Sequence, residues 1–190
     1  MPGIDSNTDE ELVSLVLNNK DFFTFIIHRY ENKLSRYIKR LGVRVPEDVE
    51  DLLQSIFIKV YRNLNGFDKG LKFSSWIYRI AHNETMSFFR AKKVRPEGNM
   101  IIDSEKILPL IFDDFDTKDF SEKRIDNQHL QKALSELDEK YKEVIILRYF
   151  EELDYEEISD ILRIPPGSVA TLIHRAKNKL RSKLSHLEII

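Results

Sequence analysis

Tyr155-Glu156-Glu157-Ile158-Ser159-Asp160-Ile161-Leu162-Arg163-Ile164-Pro165-Pro166-Gly167-Ser168-Val169-Ala170-Thr171-Leu172-Ile173-His174-Arg175-Ala176-Lys177-Asn178-Lys179-Leu180-Arg181 is the stretch on which the reading of this chain turns. It reads as two helices around a tight turn. Asp154 precedes the first and can cap it, because a carboxylate accepts from the orphan N–H groups of a helix start. Ile158, Ile161 and Leu162 recur at helical spacing and mark one buried side. Arg163-Ile164 turns the chain. Proline cannot continue a preceding helix but suits the first turn of the next, so Pro165-Pro166 places a helix start there. Val169, Leu172, Ile173, Ala176 and Leu180 then trace the apolar side of the second helix. Helix, turn, helix is the form of a DNA-binding helix-turn-helix, and it is also the form of an ordinary helical hairpin.

Charge separates along the chain although its total is only −2. From Ile161 to Leu187 there is no acidic residue, while Arg163, Arg175, Lys177, Lys179, Arg181 and Lys183 are basic. Between residues 96 and 126 the balance reverses, with Asp103, Glu105, Asp113, Asp114, Asp116, Asp119 and Glu122 surrounding an apolar island at Ile107, Leu108, Leu110, Ile111 and Phe112. That segment reads as an acidic flexible linker, with a short helix over 104–112 as the alternative.

Upstream the pattern is helical. Asp9-Glu10-Glu11 opens a helix carrying Leu12, Leu15 and Val16, and Lys20-Asp21 allows a bend. Phe22, Phe25, Ile26, Tyr30, Leu34, Tyr37, Ile38 and Leu41 stripe a longer helix that Gly42 ends. Val45-Pro46-Glu47-Asp48 begins the next, where acidic residues suit the helix dipole. Its stripe is Val49, Leu52, Leu53, Ile56, Phe57, Val60 and Leu64, which leaves Asp51, Gln54, Ser55, Lys59 and Arg62 exposed. After Asn65-Gly66, Ser74 or Ser75 caps a helix running to about Lys93. There Trp76, Arg79, Asn83 and Arg90 share a face, and rings interleaved with cations suit single-stranded nucleic acid. Beyond the linker, Leu130, Ala133, Leu134 and Leu137 form one helix, and Asp138 caps another that carries Tyr141, Val144, Ile145, Leu147, Arg148 and Phe150. The expected fold is all-α: a helical domain over 1–95, the linker over 96–126, and a helix-turn-helix domain over 127–190.

Some classes are set aside. A content of 42% hydrophobic residues supports true cores. No apolar run approaches the roughly 20 residues that span a bilayer. Residues 1–5 lack the basic and apolar regions of a secretion signal. The absence of cysteine removes disulfides and thiolate metal sites and fits a cytoplasmic protein without membrane insertion. There is no phosphate-cradling glycine loop, and His28, His82, His129, His174 and His186 make no ligand pair at helical spacing. Neither an enzyme nor a cofactor is expected.

Three blocks together resemble a known family. Phe73 to Asn83, with Arg90 behind it, resembles the promoter-melting segment of bacterial sigma factors of the extracytoplasmic-function type. Asp51 to Tyr61 resembles the polymerase-binding helix before it. Leu137 to Arg181 resembles the domain that contacts the −35 promoter element, whose core E-I-A-x-x-L-x-x-P-x-G-T-V is matched by Glu157-Ile158-Ser159, Leu162 and Pro165-Pro166-Gly167-Ser168-Val169. The resemblance implies a dissociable subunit of RNA polymerase. Asp51, Gln54, Ser55 and Lys59 would dock on the clamp helices of the largest subunit, and the C-terminal domain on the flap. Phe67, Lys69, Lys72, Trp76, Arg79, Asn83, Arg90 and Lys93 would hold the −10 element, partly as single strand around a flipped base. Ser168, Ala170 and Thr171 would face −35 base edges, and His174, Arg175 and Lys177 the phosphates. The linker would thread the polymerase, and an anti-sigma factor would be the regulator.

The departures lie mainly in the helix-turn-helix. Arg163 stands where the family turn usually has Gly, Pro166 where a small aliphatic is common, and Ala170 and Leu172 where basic residues are usual. The expected −35 contact is therefore weak on base edges and leans on phosphates and groove shape. A conventional helix-turn-helix regulator and a sigma-like protein that titrates a regulator remain the alternatives.

Overall fold

The computed structural model describes residues 7–68, 70–93, 107–109, 111 and 127–186. Among them the regular structure is helical, with no strand. The chain divides into two compact units, short pieces at the ends of two helices aside: residues 7–93 make the body of one and residues 127–186 the body of the other.

In the first unit α1 spans Asp9–Asn18. Its cap is Thr8. The Thr8 hydroxyl accepts from the Glu11 N–H while the Glu11 carboxylate accepts from the Thr8 N–H, a reciprocal capping box. Those bonds, the Thr8 backbone first and then Asn7, hold the Glu11 carboxyl below its ordinary pKa. A 3-10 turn over Lys20–Phe22 makes the expected bend and leads into α2, Phe23–Leu41. Gly42 follows with φ 122°, a conformation that glycine adopts without a Cβ clash. α3 runs Pro46–Asn63, with proline in its first turn as expected.

α4 runs Phe73–Lys92, and here the capping expectation fails. The helix begins before Ser74, so neither Ser74 nor Ser75 can be the cap. Lys72 holds that position, and its side chain makes no capping bond. The Phe73 N–H instead donates to Glu10 Oε1 of α1 at 3.1 Å, a cap supplied 63 residues away. The Phe73 ring is fully buried and meets Tyr30, Phe67 and Trp76 at centroid distances of 5.6, 5.5 and 5.6 Å. Tyr37 of α2 meets Tyr78 of α4 edge-on at 5.1 Å. The Tyr30 hydroxyl donates to Asp9, which also accepts from Arg29 at 2.8 Å. Burial, and then the charge of Asp9, push the Tyr30 hydroxyl well above the ordinary tyrosine range, so it stays a donor.

In the second unit α5 is Asn127–Ser135 and α6 is Glu139–Ile145. Asp138 sits at the cap position of α6 but its side chain makes no capping bond, which corrects the second cap read from sequence. α6 ends in a π turn over Ile146–Phe150, closed by the Glu151 N–H on the Ile146 carbonyl at 3.1 Å. The wider turn accommodates Val144, Ile145, Ile146 and Leu147, four consecutive residues that are all fully buried. α7, Tyr155–Leu162, opens with the cap expected at Asp154, whose Oδ1 accepts from the Glu157 N–H at 2.8 Å, and the Asp154 N–H donates back to Glu157 Oε2 at 3.1 Å. α8 is Pro166–His186 and packs on α6 and α5 through Val169, Ile173, Ala176, Leu180 and Leu184. The turn between α7 and α8 sets Arg163 at φ 54°, where a side chain is strained, which explains why glycine suits this position. Of the acidic segment, 107–109 and 111 are helical with Ile107 and Ile111 buried, in line with the short-helix alternative; the rest of that expectation lies outside the described residues.

Two stability changes follow. Glu10→Ala removes the cap of α4 and should lower unfolding free energy by about 1 kcal/mol in urea titration of the full chain. Arg163→Gly should raise it by about 1 kcal/mol by relieving the left-handed backbone.

Candidate nucleic-acid interface

Three exposed helix faces carry the residues singled out in the sequence. On α3, Asp51 and Gln54 are exposed as expected. Ser55 is half-buried, and its hydroxyl donates to Glu84 Oε2 of α4 at 3.1 Å. Lys59 is exposed but ion-paired to Glu84 Oε1. These two therefore brace α3 against α4 and present less free polar surface than their sequence positions implied. Gln54 borders a groove of about 840 Å³ between α2 and α3, lined by Phe23, Ile27, Leu53, Phe57, Ile58 and Tyr61. Ile58 and Tyr61 are 50% and 39% exposed, which is unusual for such residues side by side. This groove is not among the sites expected from the sequence. Its signal was present in two apolar residues three apart and off the buried stripe.

On α4, Trp76 and Arg79 are half-buried, and Asn83 and Arg90 are exposed. Trp76 leans on Phe67 at 5.3 Å and on Phe73, so the cluster that anchors the helix also sets its indole. Phe67, expected to meet DNA, is itself buried beneath Trp76, because its ring completes that cluster. Arg90 is steadied by the Ser87 hydroxyl at 3.1 Å. Lys93 is exposed just past the helix end, Lys72 is exposed at its start, and Lys69 lies outside the described residues. In the loop between them the Gly70 N–H donates to Asp68 Oδ1 at 2.9 Å.

On α8, Ser168, Thr171, His174 and Arg175 are exposed and Ala170 is half-buried beside them. Lys177 is only 5% exposed, which corrects its assignment to the phosphates: it falls beside Ile173, Ala176 and Leu180 on the packed side of the helix. The basic run is further reduced by pairing. Lys179 stands 5.2 Å above the Tyr141 ring and 3.8 Å from Asp138, and Lys183 binds Glu136 at 3.0 Å. Arg175 remains the exposed arginine of the first three turns. His174 Nε2 lies 3.1 Å from Asn178 Nδ2. Among the described residues no cluster of His, Asp and Glu could hold a metal ion, and no helix is long and apolar enough to cross a membrane.

Known proteins are similar to this chain in sequence. Residues 26–95 match Sigma-70 region 2 and residues 128–180 match Sigma-70, region 4. The chain is 34% identical over 177 residues to the ECF RNA polymerase sigma factor SigW of Bacillus subtilis, covering 89% of this chain and 92% of that protein. It is 31% identical to the ECF RNA polymerase sigma-E factor of Haemophilus influenzae, covering 95% and 97%. The fold matches that of CnrH, solved in complex with the cytosolic domain of CnrY, with a TM-score of 0.69 at 20% identity, covering 96% of this chain and 100% of that one. The chain belongs to the ECF RNA polymerase sigma factor family.

The burial difference on α8 can be measured. Arg175→Ala should flatten the salt dependence of duplex binding by the full chain, lowering the slope of log K against log salt by about one. Lys177→Met should leave that slope unchanged.

Proposed function

We propose that this protein is a dissociable promoter-specificity subunit of bacterial RNA polymerase that acts in the cytoplasm, a regulatory subunit rather than an enzyme. Asp51 and Gln54, with the braced Ser55 and Lys59 beside them, dock on the clamp helices of the largest subunit. The apolar groove that Gln54 borders adds hydrophobic area to that contact. The α4 face of Trp76, Arg79, Asn83 and Arg90 holds the −10 element as it opens. Indole and guanidinium surfaces favour unstacked bases, and the cations favour the strand's phosphates. Ser168, Ala170 and Thr171 on α8 meet the −35 element, while His174 and Arg175 position the domain on phosphates, and the same domain docks on the flap. Residues 96–126 pass through the polymerase between the two contacts.

The observation that carries this reading is the one-sided placement of Trp76, Arg79, Asn83 and Arg90 on a helix within the Sigma-70 region 2 match. A free-standing helix-turn-helix regulator has no use for such a face. Regulation by an anti-sigma factor is part of the proposal. Besides CnrH with CnrY, the fold resembles the sigma factor RpoE solved in complex with the anti-sigma factor NepR from Bartonella quintana, with a TM-score of 0.60 at 20% identity over 87% of this chain.

In-vitro transcription with purified core polymerase tests the proposal. The protein should direct initiation at selected promoters, and Gln54→Ala should weaken core affinity about tenfold, a loss of about 1.4 kcal/mol. Unchanged affinity would remove Gln54 from the contact. Duplex binding without any initiation would favour the regulator or the titrating protein.

A further inference from the structure

The front of α8 differs in chemistry from a hydrogen-bonding reader. Ser168, Thr171 and Arg175 form its exposed line, and Ala170 and Leu172 flank Thr171 half-buried. The Thr171 hydroxyl donates to the Gly167 carbonyl at 2.8 Å, so its only proton is committed to its own helix. Such a bond fixes the side-chain torsion and leaves the γ-methyl as the unengaged end of the side chain. One turn before Thr171 on the same face stands Gly167. A Cβ there would meet nothing within 4 Å, so that glycine faces open space and is not demanded by packing. The exposed line therefore carries small side chains ahead of Arg175, with Ala170 and Leu172 half-buried to either side.

A major groove presents four base-pair patterns, and the one apolar feature among them is the 5-methyl of thymine. We infer that Thr171 sets the sequence preference of α8 through its methyl group, by direct contact with the 5-methyl of one thymine, and not through its hydroxyl. This rests on the assignment of α8 to the −35 element. It adds what that assignment leaves open: the base selected and the atom that selects it. Arg175, one turn further on, supplies the charge that holds the helix in the groove while the methyl discriminates.

The test uses the full chain assembled with core polymerase. Duplexes are selected from a randomised pool, and each thymine of the enriched upstream element is replaced in turn by deoxyuridine, which removes only the methyl. One position should lose about fourfold in affinity, the scale of a single buried methyl. Thr171→Val should retain that thymine-over-uracil preference and Thr171→Ser should abolish it. Thermal melting of both variants checks that they fold, as an exposed position allows. If no position behaves this way, or if Thr171→Val loses the preference along with Thr171→Ser, the methyl contact is overturned while the −35 assignment stands. If no upstream element is enriched at all, the −35 assignment itself fails and the inference falls with it.

Discussion

Burial of the Phe73 ring organises the first unit. The ring is fully enclosed, an enclosure of a kind that contributes about 2–3 kcal/mol, and it gathers α2, the loop before α4 and α4 itself around one point. The same residue's backbone N–H is tied to Glu10 of α1. One residue thus sets where α4 starts and how it is rotated. Because Trp76 stands on the cluster and Arg79, Asn83 and Arg90 follow at helical spacing, that rotation determines which side chains the unit offers outward. The outward face of α4 is a consequence of aromatic packing one layer below it.

The second unit is governed by its turns. Glu152 at φ 58° and Arg163 at φ 54° place left-handed residues on either side of α7, and the π turn precedes both. Arg148 ties these pieces together: it donates to the Leu153 carbonyl at 3.0 Å and lies 5.3 Å from the Tyr155 ring. The helix-turn-helix is therefore fixed from its upstream side as well as through the apolar side of α8. Strain at Arg163 is held because the buried faces of α7 and α8 determine the turn between them.

Charge follows the same logic. A chain of net −2 can serve a nucleic-acid partner only if its cations are sorted, and here acids do the sorting. Glu84 engages Lys59, Asp48 engages Lys92, and Glu136 and Asp138 engage Lys183 and Lys179. Such exposed pairs add little stability, roughly 0–1 kcal/mol each. Their larger effect is to leave Arg90 and Arg175 as prominent exposed cations on the α4 and α8 faces.

The sequence alone determined the helices, because stripes at a period of 3.6 residues, Gly42, Pro46 and the Asp154 cap are local signals that physics reads within one or two turns. It also determined the order of the three family blocks, and with them the residues nominated for each contact. What only the tertiary structure decided involves partners far apart in the chain. The cap of α4 comes from Glu10, not Ser74 or Ser75; Phe67 is enclosed by Phe73 and Trp76; Ser55 and Lys59 share Glu84; and Lys177 lies on the packed side of its helix. A periodic pattern tells which residues can share a face, but not how a neighbouring helix is rotated against it. That rotation is set by the close packing of side chains from several elements at once, so it exists only in the folded chain.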